Sequence, residues 1–279
     1  KLTGTVSAGI ESGANVTVLN DLTIDADSNA SNLLIAGAVA KGGNAGVGAS
    51  ISFSDVDTTT KAWIDDNNQD GNSTGSVVTT GSTRIEADYD GDISTYSVAA
   101  SKASSSPVDG SSAKDKGKGK FGLAVSGDVS FNNIVSNVSS IISGGAKVSS
   151  TALTLHAVKD AQIKALSGTV AYASSKGSSA GLAGAYSQNT IGGLSQAYIK
   201  DATVDASGLI RLEAETKGDL FTLSAGGSGV SKGGLAVTGQ VSFNTIANNT
   251  YTYIENGQIN KSNADPSGNV ELDAKDTTQ

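Results

Sequence analysis

The chain has 279 residues, among them 35 Gly and 2 Pro, with no Cys or Met, one His and one Trp, and a formal net charge of −8. Without Cys there are no disulfides, thiolate metal sites or cysteine nucleophiles. A lone His156 argues against a catalytic triad or a multi-His zinc centre, and an acidic chain lacks the overall basic face that nucleic-acid phosphates require.

The chain is organised by a repeat. Residues 1–21 read as the tail of one unit, and 22–82, 83–152, 153–209 and 210–269 as four full units. Residues 270–279 read as the head of another. Each unit opens with two alternating apolar residues followed by Ala, as in Leu22-Thr-Ile-Asp-Ala26 and Ile210-Arg-Leu-Glu-Ala214. The central residues of this phrase are Ile24, Ile85, Leu155, Leu212 and Leu272, spaced 61, 70, 57 and 60 apart. A Lys-Gly mark follows in mid-unit, at Lys41-Gly42, Lys118-Gly119, Lys176-Gly177 and Lys232-Gly233. Apolar residues alternate with period two on both sides of it, which is the strand signal. The glycine is expected to supply the positive φ of a tight reversal. Each unit closes with paired apolar positions, Val56 with Ile64, Ile134 with Ile142, Ile191 with Ile199 and Ile246 with Ile254. Phe53, Phe131 and Phe243 precede three of these pairs, and Gln188 takes that place in the third unit. The polar segments 65–81 and 104–120 read as loop insertions, which collect where few backbone bonds are lost.

This pattern predicts an all-β protein. The architecture expected is an elongated β-solenoid, parallel β-helix-like, of tandem repeats about 60 residues long with Lys-Gly turns. Such a period fits one wide rung or two to three ordinary coils, and a string of small β-sandwiches is the alternative. Small residues such as Gly46, Gly48, Ala171 and Ala173 inside the strand pattern imply closely approaching sheets. No run of 18 apolar residues occurs, so no membrane span is expected.

The phrases Leu212-Glu-Ala214, Ser224-Ala-Gly-Gly227, Asn244-Thr-Ile246, Tyr253-Ile254 and Glu255-Asn-Gly257 resemble the strand repeats of very large bacterial surface proteins, the filamentous adhesins and leukotoxin-type exoproteins. The first and third units depart from the pattern, with Ser54-Asp-Val56 for Asn-x-Ile and Gln188 for Phe. The resemblance implies a non-catalytic, secreted stalk or fibre at the cell surface. Its expected partners are neighbouring repeats, copies of itself end to end, and host or matrix glycans or proteins. The alternative function is a β-helix that binds or cleaves a polysaccharide.

Four groups of residues are candidate sites. Asp66, Asn68, Asp70 and Asn72 fit the first half of a calcium loop, with Gly71 at the sharp turn, although Val77 stands where the bidentate Glu belongs. Lys114, Lys116, Lys118 and Lys120 form a possible partner-contact loop. Trp63, Tyr198 and Tyr253 precede the closing Ile of their units and form a possible aromatic ladder or sugar-binding stripe. His156 replaces the acid found in the opening phrase of the other units, so Asp25, Glu86, His156, Glu213 and Asp273 would form one outward column. Arg84 and Arg211 sit close enough in sequence to offset its charge.

Overall fold

A computed structural model of the chain describes residues 1–11, 13–66, 76–79, 81–105, 121–231, 233–261 and 268–279. Every regular element within them is a strand, and all pair in parallel in three five-stranded sheets. The first sheet contains β1 (Leu2–Ile10), β4 (Ala45–Asp65), β7 (Gly122–Ser143), β10 (Ser179–Lys200) and β13 (Gly234–Glu255). The second contains β3 (Leu22–Gly42), β6 (Ser82–Ser105), β9 (Ala152–Ser175), β12 (Ile210–Val230) and β15 (Val270–Asp276). The third is narrow: β2 (Asn15–Val18), β5 (Ser76–Thr79), β8 (Lys147–Ser150), β11 (Thr203–Ala206) and β14 (Gln258–Ile259). Each repeat is therefore one wide rung of a β-solenoid: a long strand out, a reversal, a long strand back, and a short strand closing the far side.

The stacking register is set by the phrases that recur in the sequence. Ile24, Ile85, Leu155, Leu212 and Leu272 are direct partners from rung to rung. The closing pairs form two further columns, Val56–Ile134–Ile191–Ile246 and Ile64–Ile142–Ile199–Ile254. All these side chains converge next to the narrow sheet, where the apolar core lies. Ile246 and Leu272 are the exceptions at 45% and 46% exposure, because β13 and β15 are end strands.

The two long strands of a rung do not hydrogen-bond to each other. They belong to different sheets and face one another across the interior, so their backbone bonds run to the next rung. The Lys-Gly mark is thus an arch between layers. Its glycines are used for space: a Cβ on Gly42 would run into the Ala45 carbonyl, and one on Gly234 into the Ser179 carbonyl. The expected positive φ is found at the opposite end of the rung. Gly144, Asp201 and Asn256 have φ of 68°, 51° and 51°. They are equivalent positions where the wide sheet turns into the narrow one, and Gly, Asp and Asn are the residues that tolerate this geometry. The expected close approach of the sheets is present, since Cβ atoms on Gly46 and Gly48 would strike the carbonyls of Lys102 and Ala100.

Polarity inside the rung changes along its width. Near the narrow sheet the interior is Ile, Leu, Val and Ala. Toward the arch it becomes Ser, Thr, Asn, Asp, Gly and Ala, including buried Ser52, Ser130, Asn132, Thr95, Ser97 and Asn189. The apolar residues of the arch half point outward. Phe221, Leu223, Leu235, Val237, Val241 and Phe243 are all exposed. The alternation read from the sequence is correct, but on this half an apolar filling of the interior is replaced by a polar one.

Polar ladders hold this half together. Asn132 donates to Asn189 at 2.8 Å and Asn189 to Asn244 at 3.1 Å, one rung after another. Thr95 in the facing sheet donates to Asn132 at 2.6 Å, and Asn244 donates to Thr222 at 3.1 Å. These are the asparagines of the Asn-x-Ile phrase. Ser54, which replaces Asn in the first unit, instead accepts from Asn32 at 2.5 Å.

Candidate functional site

The chemically richest place on the molecule is the outer face of the β6–β9–β12 sheet at its apolar-core end. Alternation turns Glu86, His156 and Glu213 outward, and parallel register makes them direct neighbours, with Asp25 and Asp273 continuing the column. His156 Nδ1 lies 3.0 Å from Glu86 Oε1, and its Nε2 lies 3.9 Å from Glu213 Oε2. Arg84 holds Glu86 with two hydrogen bonds of 2.6 Å, and Arg211 lies 3.4 Å from Glu213. The arginines therefore offset the column's charge, and His156 is half-buried between two acids rather than open to solvent.

The electrostatics follow from this packing. The Arg84 guanidinium holds the Glu86 carboxyl down at about 2, against an opposing contribution from burial and with help from His156. Asp88, next along the strand, goes the other way: burial first, and then the negative Glu86, push it up to about 6. Glu86, Asp88 and His156 are the one group of three potential metal donors among the described residues, with ligand atoms within 4.8 Å of one another. Both Glu86 oxygens are already engaged by Arg84, so the group is internally compensated.

The other candidates separate. Asp66 is buried and accepts from the Gly13 backbone N–H at 2.9 Å; Asn68, Asp70 and Asn72 lie outside the described residues. Lys114, Lys116, Lys118 and Lys120 also lie outside them. Tyr198 and Tyr253 stack with ring centroids 4.8 Å apart and planes 6° from parallel. Trp63 shares their column, but Ile141 occupies the rung between, so the stack does not reach it. Lys61 places its ammonium 4.6 Å from the Trp63 ring centroid, and Gly9 lies so close that any Cβ there would collide with the indole. Trp63 is thus engaged by Lys61 and Gly9 rather than by another ring.

Two features are additional to those expected from the sequence. The first is a longer aromatic row, Phe53–Phe131–Tyr186–Phe243, with centroid separations of 6.4, 5.7 and 5.8 Å. Gln188 occupies the Phe position of its rung, and Tyr186, two residues earlier on the same face, supplies the missing ring. The second is Lys159, wholly buried, which donates to the Gly192 carbonyl at 2.8 Å and to Asn248 Oδ1 at 2.6 Å. Strand parity was the available signal for both: Tyr186 shares the outward parity of Gln188, and Lys159 the inward parity of Leu155.

No protein-family model, curated protein or solved structure matches the chain.

Proposed function

We propose that this chain is a non-catalytic structural and adhesive segment of an extracellular bacterial surface protein, built to be extended by repetition. The carrying observation is the register: each sequence repeat is one rung, and equivalent residues pair directly from β3 through β15. A stack of this kind has nearest-neighbour stability and grows without a limiting core. Its charged side chains recur by column and are paired with one another along the outer face, as in Arg84–Glu86 and Lys217–Glu215. An enzyme of the polysaccharide-cleaving type needs carboxyls set apart for an acid and a base. Here Glu86 and Glu213 each lie against an arginine and Glu215 against Lys217.

Partners of such a segment are further rungs, copies of itself end to end, and surface glycans or proteins met by its loops. Calcium at Asp66 and the residues that follow it belongs to the same reading. A higher melting temperature in millimolar calcium than in chelator, lost in Asp70→Ala, is the expected result.

The function is tested on a longer array. Tandem copies of residues 153–209 added to the chain should give a ribbon in negative-stain electron microscopy that lengthens by about 4.8 Å per repeat. Separate beads, or products released from uronate polymers incubated with the chain, would overturn it.

A further inference from the structure

On the arch half of the rung the first sheet turns an apolar face to solvent. The outward positions of 45–53, and those paired with them on β7, β10 and β13, hold no charged residue. Val47, Ile51, Phe53, Val237, Val241 and Phe243 are all exposed there. Four strands wide and eight residue steps tall, the face measures about 19 by 26 Å, about 500 Å² in projection. A contiguous apolar patch of about this size on a single copy marks an interaction surface.

The face has relief. Val47, Val125, Leu182 and Val237 are direct partners along the stack and form a ridge. The next outward row, Ala49, Gly127, Gly184 and Gly239, lies beside it as a groove. A Cβ on Gly127 or Gly239 would meet nothing within 4 Å, so the single copy does not need glycine there. The opposite face of the rung is built differently. Its apolar rows are interrupted by Lys164 at the level of Leu33 and Ser94, and are bordered by Lys41 and Lys102 on one side and Asp92 and Asp219 on the other.

From this anatomy we infer that two copies of the chain pair side by side through the uncharged face, first sheet against first sheet, with their strands opposed. Three observations choose this occupant. The face repeats with every rung, about 4.8 Å along the stack, and a second stack is a surface of the same period. The footprints of two copies sum to about 1,000 Å², the size at which specific interfaces begin, and each further rung adds about 250 Å². Pairing here desolvates no charge, whereas the opposite face would bring the Lys164 ammonium against apolar groups. The groove sets the offset. A two-fold axis along the strands would set ridge on ridge and groove on groove. A two-fold axis parallel to the stack opposes the strands and lets the Val47 ridge of each copy seat in the Ala49 groove of the other. The open edges of β4 and β13 then stay in water at the rim, while β7 and β10 at the centre have both edges paired. This contact is lateral, distinct from the end-to-end contact of the function proposed above, and does not rest on it.

The test is sedimentation equilibrium of the whole chain, which should be a dimer at micromolar concentration. Duplicating residues 153–209 widens the face by one rung and should lower the dissociation constant about ten-fold or more. Leu182→Glu combined with Val241→Glu should raise it about a hundred-fold with the parent's circular dichroism spectrum, because it buries charge in the contact. Val98→Glu, on the opposite face, should leave it unchanged. Gly127→Val combined with Gly239→Val separates a seated ridge from general stickiness. It adds apolar surface but fills the groove, so it should raise the dissociation constant about ten-fold, again with the parent's spectrum. The Leu182→Glu, Val241→Glu chain is also the single copy whose dimensions scattering reads. The inference is overturned if the parent chain stays monomeric, or if Val98→Glu abolishes the dimer. It is equally overturned if the doubly charged variant pairs as the parent does, which would move the contact to the rung ends, or if the glycine variant pairs more tightly.

Discussion

Leu155 and Lys159 lie four residues apart on the same inward face and show how differently one interior treats two side chains. Leu155 is fully buried in the apolar core, with Ile85 and Leu212 as its rung partners. Leu155→Asp would place a charge there without a partner and should cost several kcal/mol, about 3–5. Thermal or denaturant unfolding checks this, and an unchanged midpoint would refute the register. Lys159 is buried as a charge, and burial lowers its ammonium from the ordinary 10.5 to about 8. The unfolded chain therefore binds more protons than the folded one between these values, so stability rises as pH climbs from about 8 to 10.5. Lys159→Met should lack that rise, which denaturant titrations at pH 8 and pH 10 would show. Asp88 has the opposite sign. Its folded carboxyl at about 6 lies above the ordinary 3.8, so its stabilising contribution is complete below 3.8 and is lost as pH rises through 6. Asp88→Asn should raise the melting temperature at pH 7 and remove that loss. Glu86, held at about 2 against the ordinary 4.5, keeps its contribution at neutral pH and loses it progressively as pH falls from 4.5 through about 2.

At the scale of the element, the long strands combine two interiors in one continuous backbone. β7 runs from buried Ala124 through Asp128 and Asn132 to Ile134 and Ile142 with no break in pairing. Asp128 accepts from Ser97 at 2.6 Å, and burial raises its carboxyl above the usual range. The asparagine ladder supplies the order here that close-packed aliphatics supply elsewhere. Asn189 is its centre, accepting from Asn132 and donating to Asn244. Asn189→Ala leaves buried Asn132 short of an acceptor and Asn244, in the end strand, short of a donor, which should cost about 1–3 kcal/mol. The matching change at Asn244, exposed in the end strand, should cost less, and equal costs would refute the ladder as the source of stability.

For the whole molecule, a width set by strands and a height set by rungs give an unusual proportion. Strands of 21 to 24 residues span about 70–80 Å, whereas five rungs rise only about 20 Å. The long axis of this segment therefore runs along its strands, and a rod along the stack axis requires many more rungs. A slab of these dimensions has a radius of gyration of about 23 Å, against about 19 Å for a globule of the same length. Small-angle scattering should return the larger value, and should show the maximum dimension unchanged when one repeat is duplicated. A string of independent domains would lengthen instead.

The amino-acid sequence by itself determined the class, the repeat boundaries and the stacking columns, because period-two alternation and a recurring phrase are local and redundant signals. Ile24 through Leu272 could be aligned without coordinates, and so could the acid column around His156. It did not determine which side of each strand is inside. Alternation marks two faces without saying which faces in, and the choice is made by what the opposing sheet offers across the gap. Gly46 and Gly48 admit the facing backbone, and Asn132, Asn189 and Asn244 find one another only once rungs stack. The pairing of His156 with Glu86, the seat of Lys159 under the Gly192 carbonyl, and the outward turn of the apolar arch were decided at that level. Each depends on residues more than thirty positions apart or on a choice between two equivalent faces, and only the closed rung removes that freedom.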